Sequence, residues 1–168
     1  MLKILTALAS SLLLSFGHAA QAQIPHVLGV WQLNLEASDV PEGFPVAAEL
    51  RRFSIRDDGF NVILATRVGQ DGNPDFIQVA ARTDGRDYPQ YQSGPLAEFQ
   101  VSEIETPFSY SETQVDERTV EIVGRLNGQV NNRGTRRISE DGRTMTLDVI
   151  AFLPDGQEIE LGLVFGRL

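Results

Sequence analysis

Apolar and polar residues alternate along most of this chain. In Gly29–Leu35, Trp31, Leu33 and Leu35 alternate with Val30, Gln32 and Asn34, the period of a strand with one buried face. The rhythm returns in nine further runs: Leu50–Asp57, Phe60–Arg67, Phe76–Thr83, Ala97–Glu103, Phe108–Gln114, Thr119–Leu126, Gln129–Ser139, Thr144–Phe152 and Glu158–Phe165. After the first residues no stretch sustains the apolar period of a helix. Six Asx-Gly dipeptides punctuate the runs: Asp58-Gly59, Asp71-Gly72, Asp84-Gly85, Asn127-Gly128, Asp141-Gly142 and Asp155-Gly156. Such pairs suit turns that need positive φ. The pattern predicts an all-β, up-and-down antiparallel meander of about ten strands. Closure into a barrel hides its edges.

Parity within each run predicts what faces inward. Ile159, Leu161, Leu163 and Phe165 share a face that Arg167 continues. Met145, Leu147, Val149 and Ala151 share another, as do Val120, Ile122 and Leu126. Phe99 pairs in this way with Val101, and Phe108 with Tyr110. The face of Phe53 and Ile55 carries Arg51, and that of Val130 and Ile138 carries Asn132, Gly134 and Arg136. Glu36–Ala48 reads as a loop with room for one short helical turn. Thr83–Leu96, rich in turn formers and holding Tyr88 and Tyr91, reads as a long loop over a barrel mouth.

The N-terminus changes the picture. Met1-Leu2-Lys3, the apolar run Ile4–Phe16 and Ala20-Gln21-Ala22 form the three parts of a secretory signal, with cleavage expected before Gln23. The apolar run is shorter than the ~20 residues of a membrane span. Residues 23–168 then form one domain of 146 residues. Lys3, the only lysine, leaves with the signal, so the net charge moves from −9 to −10. Such a domain repels nucleic acid and anionic membranes. The chain holds no cysteine, which excludes disulfides, thiol catalysis and cysteine-zinc sites, and suits a periplasm or external medium.

Gly29-Val30-Trp31 near the expected mature terminus, a ten-strand meander and a basic residue in the last strand together resemble the calycin superfamily, the lipocalins and fatty-acid-binding proteins. Three stretches are similar to bacterial exported lipocalin-like proteins of unknown function: Gly29–Leu35 with Ser38 and Pro41, Asp84–Pro89 with Gly94-Pro95, and Ser139–Thr146. The resemblance implies that Trp31 closes one barrel end and that Arg167 packs across it. It implies no reaction. Glu36–Ala48 is too short for the two lid helices of fatty-acid-binding proteins, so no fatty-acid specificity carries over.

Little in the chain points to catalysis. His26 is the single histidine after the signal and lies ahead of the first strand, where it reads as an exposed terminal residue. No serine sits in a G-x-S-x-G turn. No cofactor and no metal site is expected, and the Asx-Gly turns are explained by turn geometry. Asp148, Glu112 and Glu121 lie on strands, where surface-facing acids are the common case. Arg51 and Arg136 are the candidate cavity residues, with Tyr110 and Asn132 completing a polar cluster and Tyr88 and Tyr91 at the mouth. A buried guanidinium requires an internal carboxylate or an anionic ligand. The expected function is binding of a small hydrophobic or amphipathic molecule, with Arg51 or Arg136 orienting an acidic group. Two alternatives stay open. One is a protein-binding or inhibitor module using Gln23–Leu28 and Thr83–Leu96, and the other is a barrel enzyme using Tyr, Arg and carboxylates.

Overall fold

The computed structural model describes residues 25–93 and 106–168. They form ten strands: β1 (Gly29–Leu33), β2 (Val46–Ile55), β3 (Asn61–Gly69), β4 (Pro74–Ala81), β5 (Tyr88–Gln92), β6 (Phe108–Gln114), β7 (Thr119–Leu126), β8 (Gln129–Ile138), β9 (Thr144–Phe152) and β10 (Glu158–Arg167). Each pairs antiparallel with its neighbour in sequence, and β1 also pairs with β10, so the sheet closes into a barrel. At the seam Trp31 stands opposite Arg167 and Leu33 opposite Phe165. Past Leu33 a 3-10 turn, Leu35–Ala37, is capped by the Asn34 side chain, which accepts from the Ala37 amide. Asp39 then resumes pairing with Gly162, lengthening the seam beyond β1.

The turns follow from the Asx-Gly pairs. All six glycines adopt positive φ, between 68° and 86°. In the five Asp-Gly pairs the carboxylate accepts the amide two residues on, which holds the turn from within. Asn127 is itself at φ 52°, so Asn127-Gly128 joins β7 to β8 as a two-residue primed turn.

The inward face carries Trp31, Phe53, Ile63, Val79, Val120, Ile122, Met145, Leu147, Leu163 and Phe165, all buried. Full burial of such side chains contributes about 1.5–3 kcal/mol each. The β2–β3, β6–β7 and β8–β9 turns gather at one end with Arg167. The β1–β2 connection and the β3–β4, β7–β8 and β9–β10 turns gather at the other.

Two readings of the sequence are revised and two others fall outside the described residues. Val130, read as sharing the face of Ile138, is 45% exposed, because the register shifts between Gly124 and Arg125 and sets it opposite Arg125. Tyr88–Gln92 is a strand of the wall, not a loop over the mouth. Ala97–Glu103, including Phe99 and Val101, and the signal segment 1–22 lie outside the described residues.

Candidate functional site

One end of the barrel is shut. Trp31 is wholly buried, and its indole N–H donates to the Val27 carbonyl at 2.7 Å, tying the 3-10 turn Pro25–Val27 beneath the first strand. Arg167 lies across the indole, its guanidinium carbon 4.4 Å from the ring centroid. That guanidinium also donates to the carbonyls of His26, Leu28 and Gly142. Gly29 is required here: its φ is 127°, and a Cβ would stand 3.3 Å from Arg167 Nη1. His26, expected to be an exposed terminal residue, is half-buried in this closure.

Above the closure the barrel is hollow. A cavity of about 290 Å³ reaches from the barrel centre to Phe44 and Pro45, which the β1–β2 connection places at its rim. Ile63, Val79, Ile122, Leu147, Leu161 and Leu163 supply its apolar wall. Arg51, Arg67, Arg136, Tyr110, Asn132, Gln90 and Glu49 supply its polar groups. Asn132 fits inside because the facing residue is Gly124, where a Cβ would overlap its amide.

Every arginine of this cavity is already paired. Arg51 Nε donates to Glu49, and its guanidinium stacks 5.1 Å from the Phe165 centroid. Arg67 grips Asp75 with two bonds of 2.6 and 2.9 Å. Arg136 Nη1 donates to Glu112 Oε1 at 2.7 Å and stacks 4.7 Å from the Phe53 centroid. Tyr110 donates to the same Oε1 at 2.7 Å.

Glu112 is fully buried, and Arg136 is 4% exposed. Tyr110 and Arg136 face the cavity, with Glu112 beneath them. Burial and the neighbouring carboxylate push the Tyr110 phenol well above its usual range. Burial is the largest single influence and works against the Arg136 charge, but the Glu112 carboxylate and the Tyr110 hydroxyl together outweigh it, and the guanidinium pKa is raised.

Arg51, Arg136, Tyr110 and Asn132 therefore share one cavity. Tyr88 and Tyr91 do not join them. Tyr88 points inward at the shut end, where its hydroxyl donates to Asp84 at 2.9 Å and its ring meets Phe60 edge-on at 5.5 Å. Tyr91, three residues on, takes the opposite parity and is 38% exposed. Asp148 and Glu121 face outward, and Asp148 pairs with Arg137 at 2.7 Å. Glu112 does not follow them. It continues the inward parity of Phe108 and Tyr110, a signal visible in the sequence two residues beyond Tyr110. Glu49 likewise shares the parity of Arg51 and Phe53.

A larger depression, about 700 Å³, lies on the outer face of β7–β10 among Glu121, Arg133, Asp148 and Glu160. These charged groups face solvent. Among the described residues no three or more His, Asp or Glu side chains converge as metal ligands. Compared with known protein families the chain matches none, and no curated protein matches it.

Proposed function

We propose that this protein is an exported, lipocalin-like barrel that holds a small, partly apolar molecule in its interior. The observation that carries the reading is the cavity of about 290 Å³, shut at one end, apolar on its walls and polar at its base. That make-up is usual for small-molecule sites, though the volume falls at the lower limit of their range. It equals roughly ten water molecules at liquid density, room for a short chain or a single ring but not for a long acyl chain. Export rests on the signal-like N-terminus.

The segments favoured for a protein-binding module are largely engaged in the barrel. Val27 is buried under Trp31, and Tyr88–Gln92 is wall. A cavity ligand is the better-supported function.

The test is native mass spectrometry of the exported protein beside its Ala151→Phe variant. Ala151 lines the cavity near its open end and is only partly buried, so the larger ring fills space with little cost to the fold. A small-molecule adduct on the natural protein that the variant lacks is the expected result. An adduct retained in full by the folded variant would place the ligand elsewhere.

A further inference from the structure

We infer that Glu112 is a built-in counter-ion that sets the ligand class: the cavity takes small neutral molecules with one polar group and refuses acids. This rests on the cavity reading above and narrows it.

Tyr110 and Arg136 are the donors at the cavity base that would meet an acid. Both donate to one oxygen, Glu112 Oε1, each at 2.7 Å, which uses the only O–H of Tyr110 and already matches the charge of Arg136. Glu112 is fully buried, so its charge is not shared with solvent. The other two cavity arginines are no freer, since Glu49 holds Arg51 and Asp75 holds Arg67. Three guanidinium groups are thus matched by three carboxylates.

An incoming carboxylate displaces Glu112 from Arg136, shares the guanidinium with it, or remains unpaired itself. Each arrangement sets two carboxylates against one guanidinium in the interior and leaves one negative charge uncompensated, a heavily penalised state. A cationic ligand meets the same balance with the sign reversed. A neutral molecule meets neither cost. Its apolar part packs against Ile63, Ile122, Leu147 and Leu163, and a hydroxyl can exchange hydrogen bonds with Asn132 or Gln90 on the wall.

The experiment titrates 1-hexanol, hexanoate and hexylammonium separately into the natural protein near neutral pH. Amide NMR shifts along β7, β8 and β9 give both the site and Kd. The expected result is hexanol bound at least tenfold more tightly than either ion, equal to about 1.4 kcal/mol or more. Hexanoate or hexylammonium binding as tightly as hexanol overturns the inference while leaving the cavity reading intact. If no probe moves the cavity amides, the cavity reading falls and takes this inference with it.

Glu112→Gln supplies an independent arm. It keeps the shape and releases Arg136, so hexanoate should gain tenfold or more while hexanol changes little. A folded Glu112→Gln protein with unchanged hexanoate affinity overturns the inference. The three-probe comparison in the natural protein decides the matter even if that variant does not fold.

Discussion

Replacing Arg136 by Met should be the costliest single change in the polar interior. Exposed ion pairs contribute about 0–1 kcal/mol, but this pair is not exposed: Arg136 is 4% accessible and Glu112 not at all. Met retains much of the aliphatic volume against Phe53, so little of the loss is cavity formation. What remains is a buried carboxylate with Tyr110 as its one direct donor. Removing one partner of such a pair typically costs 3–5 kcal/mol, so about 3–4 kcal/mol is expected here, with Tyr110 moderating the loss. The double variant Arg136→Met/Glu112→Leu removes both charges and should recover most of that, since apolar replacement of a whole buried pair is often neutral or stabilising. Urea unfolding followed through Trp31, the only tryptophan, measures each value, and the cycle isolates the coupling. A loss under about 1 kcal/mol for Arg136→Met, with unchanged urea dependence, would show that water reaching through the cavity solvates Glu112. Glu112 would then be a hydrated carboxylate and not a dry counter-ion.

Two further outcomes follow from the same geometry. Trp31→Ala should lower stability by about 3–5 kcal/mol, because it empties a fully buried site at the barrel end; a near-unchanged melting temperature would contradict that packing. At alkaline pH the Tyr110 phenol keeps its proton in the fold beyond the ordinary value of 10.0, so the unfolded chain releases its proton first. Stability should therefore be full below about pH 10 and decline as pH rises above it. Tyrosinate absorbance checks this: if all three tyrosines ionise near the ordinary value in still-folded protein, Tyr110 is not held as described.

Much of the barrel was legible because strand parity survives wherever one face is buried. The inward rows of β9 and β10 follow the Met145–Ala151 and Ile159–Phe165 alternations throughout. The adjacent arginines show why parity alone was ambiguous for the site. Arg51 and Arg136 turn inward, while Arg52 and Arg137 face water, and only the register of the flanking Phe53 and Ile138 separates them. β5 was hidden for a different reason. Tyr-Pro-Gln-Tyr-Gln is short, contains a proline and follows a turn-rich run, all of which demote a strand locally. Its pairing comes from β4 and β6, which no local pattern displays. Glu112 escaped because an acid on a strand is ordinarily a surface residue. Its burial depends on a partner 24 positions away.

The seam also has a temporal meaning. Trp31 pairs with Arg167, so the ring is completed only by the strand that is last of the ten in sequence. Until β10 arrives, β9 and β1 are two unpaired borders of an open sheet, and the apolar row Met145–Ala151 has no cover on one side. Such borders invite pairing with other chains, and the loop that must close spans nearly the whole domain, which slows the step. A truncation before β10 should therefore give not a weaker barrel but a sheet prone to self-association.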